Sequence, residues 1–361
     1  MHWPFCLSKC PYCDFNSHVR AKMPEEEWLG ALLADMEFEA ASTGGRPLVS
    51  IFFGGGTPSL MQPSTVRQII ERAMILWRTT DDIEITLEAN PNSVEAARFA
   101  GFADAGVNRV SLGLQALDDR DLKALGRQHS VAEGLAALDI AQRHFTRVSF
   151  DLIYAREGQA EAAWQAELAR ALAFGTGHIS LYQLTIEPGT NFAARHKRGE
   201  LVLPAEDPAA DMFALTQQMT EGAGLPAYET SNHARPGQES RHNLIYWNYG
   251  DYIGVGPGAH GRIGGKATMR ERLPERWLRG PPAERAVEAL MMGLRLSAGI
   301  DRETFERRTG RSLDETIDNA RAGWLVDQGL LRMDASGIAL TPAARPLLDA
   351  ILPELLVGAP S

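Results

Sequence analysis

Residues 49–58, Val49-Ser50-Ile51-Phe52-Phe53-Gly54-Gly55-Gly56-Thr57-Pro58, pass from a β-branched and aromatic run into three glycines, a threonine and a proline. The first half suits a buried strand and the second half cannot extend it, so the junction reads as a strand ending in a tight turn. Helical periodicity over 65–77 follows. The same order of strand, polar or glycine-rich turn and helix recurs from Arg46 to Tyr228. Strands are expected at 49–53, 83–87, 109–114, 147–150 and 179–184, with a sixth at 227–229, and helices at 65–77, 94–105, 131–144, 160–174 and 209–221. Alternation of this kind implies an α/β fold: a parallel sheet, helices outside it, and a site at the carboxyl ends of the strands.

Polar residues fall at those ends in register. Gly54 to Thr57 follow the first strand, Glu88 the second, Gln115 the third and Asp151 the fourth, and Gln183 lies near the end of the fifth. One such residue is only the start of a loop; five point to a shared pocket.

Beyond Tyr228 the pattern changes to a glycine- and aromatic-rich segment over 231–265, then to proline punctuation at Pro274 and Pro281-Pro282. Helices are expected at 283–296, 302–309 and 313–328, followed by a hairpin over 330–340 that turns at 334–337. The chain therefore divides into 1–230, a connecting segment 231–280, and a small winged-helix-like domain 281–361. That last part carries more acidic than basic residues, which favours interaction or lid packing over DNA binding.

Composition narrows the function. With 361 residues, 44% of them apolar, the chain can fill real cores. A net charge of −10 opposes a polyanionic partner such as nucleic acid. No basic segment leading into an apolar core opens the chain, and no run approaches the roughly 18 apolar residues of a membrane span, so a cytoplasmic protein without a transmembrane segment is expected. All three cysteines, Cys6, Cys10 and Cys13, fall in the first thirteen residues, where they suit ligation better than a disulfide framework.

Their x3 and x2 spacing sets three thiolates on one tight loop. Such a loop can wrap an iron–sulfur core, and three thiolates on a four-iron cube leave one iron open to a chelating small molecule. The same spacing also suits a structural zinc completed by His2 or His18.

Cys6-x3-Cys10-Pro11-Tyr12-Cys13 resembles the signature of the radical-SAM superfamily. The flanks, His2-Trp3-Pro4-Phe5-Cys6 and Cys13-Asp14-Phe15-Asn16-Ser17-His18, are similar more narrowly to oxygen-independent coproporphyrinogen III oxidases and to their relatives, the HemW-type haem chaperones. The resemblance continues through the C-terminal domain. It implies a partial βα barrel of about six strands and a 4Fe–4S cluster on Cys6, Cys10 and Cys13, with S-adenosylmethionine on the open iron. Gly55, Gly56 and Thr57 would then contact the methionine part of S-adenosylmethionine, and Glu88, Gln115, Arg127 and Asp151 would line the rest. Those residue types suit such a ligand, because carboxylates accept from ribose hydroxyls or an ammonium and a guanidinium pairs with a carboxylate.

Two features divide the related families. The oxidases carry a further cysteine two residues after the triad, where this chain has Phe15, and its absence is the chaperone pattern. The string Arg241-His242-Asn243-Leu244-Ile245-Tyr246-Trp247 resembles the chaperones' haem-binding motif, with His242 as ligand and Tyr246 and Trp247 packing on the macrocycle. On residues alone, a histidine beside aromatics also fits a hydrogen-bonded core position. The expected function is a haem chaperone that passes haem to an acceptor haem protein such as a respiratory enzyme. The competing one is the oxidase of porphyrin biosynthesis. Gly254 to His260 fits no dinucleotide fingerprint and reads as a tight loop under the pocket. In the related families a tyrosine stands six positions before the first cysteine, on a strand. That position would fall just before Met1, so the chain is expected to start late.

Overall fold

The quoted run forms most of a longer strand, Pro47–Gly55, in the computed structural model of the chain, which describes residues 1–20, 23–294, 299–344 and 347–356. Two units cluster separately, Met1–Arg272 and Leu273–Ser361. In the first unit the strands are β1 (His2–Trp3), β2 (Phe5–Cys6), β3 (His18–Val19), β4 (Pro47–Gly55), β5 (Arg78–Ala89), β6 (Arg109–Gln115), β7 (Arg147–Tyr154), β8 (His178–Gln183) and β9 (Asn232–Ala234). Seven of them make one open sheet in the order β1-β4-β5-β6-β7-β8-β9. Neighbours from β1 to β8 are parallel, and β9 runs antiparallel to β8.

The α/β class holds, with seven strands in place of about six. The additional strand is β1, only two residues long, which lies beside the end of β4. The last expected strand is displaced from 227–229 to Asn232–Ala234. Residues 227–229 instead form the outer arm of a tight hairpin, with Tyr228 N–H donating to the Asn232 carbonyl and Ala234 N–H to that of Pro226. The expected helix over 94–105 splits into Ser93–Ala96 and Phe99–Asp104. Glu95, buried there, accepts from Ser59 and Asn90, and Arg98 reaches the Leu60 carbonyl at 3.1 Å, which turns the chain between the two pieces.

Along β4 to β8 the side chains alternate. Phe53, Leu87, Val110, Leu112, Phe150 and Leu152 are completely buried on the face covered by helices, such as Pro63–Leu76 and Val131–His144. The intervening positions, Glu84, Thr86, Glu88, Arg109, Ser111, Arg147, Ser149, Asp151, His178 and Ser180, put polar groups on the other face. Register aligns them: Glu88 with Ser111, Ser111 with Ser149, and Asp151 with Ser180. The sheet therefore has one apolar face for packing and one polar face for ligands.

The second unit contains helices Pro274–Gly293, Arg302–Thr309, Leu313–Thr316, Asn319–Asp327 and Leu348–Leu355. They accompany a three-stranded antiparallel sheet of Ile300–Asp301, Gly337–Leu340 and Leu331–Met333 in that order. Its core includes Leu290, Phe305, Leu313, Leu325 and Ile338. The prolines at 274, 281 and 282, expected to punctuate a linker, lie within the first helix. The same helix buries Ala286 and Leu290 in that core. The expected end of that helix at 295 and 296 lies outside the described residues. Among the described residues no helix is long and apolar enough to cross a membrane.

Candidate functional site

The cysteine loop is built on an aromatic base. Trp3 and Phe5 are buried, and Phe5 meets Trp28 edge-on at 4.9 Å. Strands β2 and β3 pair Phe5 with His18 and Cys6 with Val19, so both ends of the loop leave from one point. The glycine turn after β4 is knitted to β1 and β2. Gly56 N–H donates to the Trp3 carbonyl at 2.7 Å and Thr57 N–H to that of Phe5 at 2.8 Å. A Cβ on Gly56 would stand 2.7 Å from the Phe5 carbonyl oxygen, so this approach needs glycine.

One cavity of about 180 Å³ gathers Cys6, Cys10 and Cys13 from the loop, Gly55, Gly56 and Thr57 from the turn, and Glu88, Gln115, Arg127 and Asp151 from the strand ends beyond. Thr57 Oγ1 donates to Cys6 Sγ at 3.4 Å. The Arg127 guanidinium donates to Cys10 Sγ at 3.4 Å, to Asn90 Oδ1 at 2.7 Å and to the Gly113 carbonyl at 3.0 Å. Gln115 holds φ at +68°, a left-handed conformation uncommon outside glycine, beside an irregularity in the β6–β7 register. Strain of that kind is concentrated at sites.

Burial sets the charge state of the wall. It pushes Glu88 up to about 7, with the nearby Asp151 carboxylate adding to the shift, and it pushes Asp151 up to about 6 despite hydrogen bonds from Ser180 and Ser111. It also raises the Cys6 and Cys13 thiols, an effect the Thr57 hydroxyl opposes at Cys6. The wall facing the cysteines thus carries carboxyl groups that hold their protons more tightly than free carboxyls do, and a cationic ligand beside them favours the ionised form.

The three thiols fit an iron–sulfur cluster better than a single ion. Among the described residues no three His, Cys, Asp or Glu side chains close on one metal position, and the thiols instead border an open cavity. Two sulfurs already accept hydrogen bonds from the cavity wall, as cluster-ligating sulfurs do. The chain has no fourth cysteine, so a cube held here presents one iron to the polar wall.

His242 stands apart from that cavity. Its ring stacks on Phe52 at 4.1 Å with an interplanar angle of 12°, and Tyr246 meets it edge-on at 4.4 Å. Burial lowers its pKa to about 3, so the ring is a neutral imidazole at physiological pH. It lines a second cavity of about 690 Å³ together with Tyr246, Tyr252 and His260, and Phe15, Gly55 and Glu88 border both cavities. Helix Arg241–Trp247 is fixed from below: Glu84 accepts the Arg241 backbone N–H at 2.9 Å and is held by Arg147 at 2.6 Å.

Two sequence expectations change. Gln183 does not line the first cavity; Asp151 pairs with Ser180, and alternation turns the following odd positions, Leu181 and Gln183, to the other face. Trp247 is 66% exposed and borders neither cavity, because the step of one residue from Tyr246 carries it to the outside of the short helix. Two residues escape the sequence reading. Asn90, which braces Arg127 and donates to Thr57 at 3.3 Å, carries a signal, since it lies two positions past Glu88 at the same strand end. Ser111, which donates to Asp151 at 3.3 Å, carries none, being one serine inside a strand.

Residues 1–169 match the model of the radical SAM superfamily, and residues 281–347 match that of the HemN C-terminal domain. The chain is 35% identical to "Heme chaperone HemW" of Haemophilus influenzae, over 98% of this chain and 96% of that protein. It is 37% identical to "Radical S-adenosyl methionine domain-containing protein 1, mitochondrial" of Bos taurus, over 99% of this chain and 86% of that one. Among solved structures it resembles coproporphyrinogen III oxidase (HemN) from Escherichia coli, with a TM-score of 0.67 and 20% identity over 97% of this chain and 88% of that chain. At that identity the likeness speaks for the fold.

Proposed function

The chain belongs to the HemW family of the radical-SAM superfamily, and on that premise we propose that it is a haem chaperone, which holds a 4Fe–4S cluster and S-adenosylmethionine, binds haem and passes it to an acceptor haem protein. The observation that carries this reading is the pairing of two cavities across a shared wall. One gathers three thiols with Gly55, Gly56, Thr57, Glu88, Gln115, Arg127 and Asp151. The other presents the neutral imidazole of His242.

Cys6, Cys10 and Cys13 would hold the cluster, which when bound supplies one-electron reducing power to S-adenosylmethionine. Gly55, Gly56 and Thr57 would contact the methionine end. Glu88 and Asp151 would accept hydrogen bonds from the hydroxyl or ammonium groups of that ligand, and Ser111 orients Asp151. Arg127, which donates to Cys10 Sγ, would pair with the carboxylate end of the ligand. His242, lowered to about 3, needs no deprotonation to ligate haem iron, and Tyr246 packs against it as an apolar wall. Trp247, exposed, would reach a macrocycle only at its rim.

Phe15, in place of the oxidases' additional cysteine, supports chaperone over oxidase. The test is anaerobic incubation of the reconstituted protein with coproporphyrinogen III, reductant and S-adenosylmethionine. No protoporphyrinogen is expected, and sustained turnover would make the chain an oxidase.

A further inference from the structure

The glycine-rich stretch 254–260, of which the reading above uses only His260 in the second cavity, meets the cysteine loop on both sides. On the entry side, His2 N–H donates to the Val255 carbonyl at 2.7 Å. A Cβ on Gly256, whose φ is +101°, would stand 2.4 Å from the His2 carbonyl oxygen. On the exit side, the Asn16 side-chain amide donates to the carbonyls of Pro257 at 3.2 Å and Arg272 at 2.9 Å, and its oxygen lies 3.3 Å from His18 Nε2. A Cβ on Gly258, whose φ is +78°, would stand 2.2 Å from Asn16 Nδ2.

The stretch is itself held from behind. Gly256 N–H donates to the buried Asp35 carboxylate at 3.0 Å, and Arg270 binds both Asp35, at 2.9 Å, and Glu39. Gly258 N–H donates to the Glu271 carbonyl at 2.7 Å. A tight turn alone needs none of these contacts. Contacts spanning more than 200 positions in sequence, closing on His2 before Cys6 and on Asn16 after Cys13, fix where the loop begins and ends.

We infer that residues 254–258 are a clamp on the cysteine loop and that Asn16 is the positioning residue through which the clamp sets the spacing of the three thiols. The physical case is entropic: a loop with fixed ends loses less freedom when three of its side chains must converge on one body. This rests on the cluster reading proposed above.

The test uses the full chain reconstituted anaerobically with iron and sulfide, in four variants. Asn16→Ala removes the bonds, and Asn16→Asp keeps the shape but no longer donates. Gly258→Ala drives a methyl group into Asn16. Gly265→Ala meets the same kind of strain, at φ +77°, with nothing within 4 Å of the new Cβ. The readouts are iron retained against a chelator and the paramagnetic spectrum of the reduced cluster, with circular dichroism as the folding control. We expect the first three to release iron on the order of tenfold faster than wild type, by analogy with residues that hold metal ligands in place, and to broaden the cluster spectrum, while Gly265→Ala does neither. If Gly258→Ala does not fold, Asn16→Asp decides. Retention in the Asn16 variants equal to that of Gly265→Ala overturns the clamp and leaves the cluster reading standing. A wild-type chain that takes up no iron and sulfide overturns both.

Discussion

Glu84 offers the sharpest energetic test of how the sheet holds the segment that carries His242. It lies on the polar face of β5, 2% exposed, and its carboxylate serves three donors: Arg147 Nη1 at 2.6 Å, Arg109 Nη1 at 3.5 Å and the Arg241 backbone N–H at 2.9 Å. Glu84→Ala would take the carboxylate from the buried Arg109 and from the partly exposed Arg147. Arg109 would keep the Gln238 carbonyl at 3.2 Å and Arg147 that of Glu239 at 2.7 Å, so neither is wholly unsatisfied. Removing one partner of a buried ion pair costs about 3–5 kcal/mol, and those carbonyls place this case near the lower end, about 3 kcal/mol. Set against a total stability on the order of 5–15 kcal/mol, that is a large share. The assay is urea unfolding of the apo protein, comparing wild type, Glu84→Ala and Glu84→Gln. The glutamine retains an acceptor for the Arg241 N–H and should lose less. Because Arg241 immediately precedes His242, the alanine variant should also bind haem more weakly. A loss below about 1 kcal/mol, the range of exposed ion pairs, would refute the reasoning.

Further outcomes follow from the site. Cys6→Ala, Cys10→Ala and Cys13→Ala should each fail to retain about four irons per chain on reconstitution, because two thiolates leave two irons poorly held; iron and sulfide analysis checks this, and a chain that takes zinc but no iron would favour the other metal. Glu88 and Asp151, pushed up to about 7 and about 6 from ordinary values of 4.5 and 3.8, keep protons in the folded state that the unfolded state releases. Their contribution is fully present below those ordinary values and is lost as pH rises through about 6 and then about 7, so the apo protein should melt lower at pH 8 than at pH 5 and Glu88→Gln should flatten the decline. Identical pH slopes in the two proteins would refute this. His242→Ala should weaken or alter haem binding, read from the Soret band, without affecting cluster assembly, and Trp247→Ala should change haem binding less than Tyr246→Ala; unchanged spectra in His242→Ala would move the ligand to His260 or His233.

What the sequence makes legible is what local chemistry decides. Val49 to Phe53 suit a strand and the glycines that follow suit a turn, so β4, and by repetition β5 to β8, are legible from composition, although β4 continues through Gly54 and Gly55, where it pairs with β1. Glu88, Gln115 and Asp151 are legible because strand ends must meet at one rim in a parallel sheet. Less visible is anything set by contacts distant in sequence. Whether 227–229 or 232–234 joins the sheet depends on a hairpin that closes against β8. Gln183 is misplaced by one step of alternation. Pro281 and Pro282 suggest a linker, but a helix that buries Ala286 and Leu290 carries them. The contact between Glu84 and Arg241 spans 157 positions, and the bonds from Asn16 to Pro257 and Arg272 span 241 and 256. No periodicity carries such pairings.

The most direct test is haem transfer itself. Reconstituted protein loaded anaerobically with one equivalent of haem is mixed with an apo haem protein, and the two are separated and scanned across the Soret region. The expected result is haem on the acceptor, with transfer reduced in His242→Ala. Haem that remains on the chain, or never binds it, would contradict the proposal.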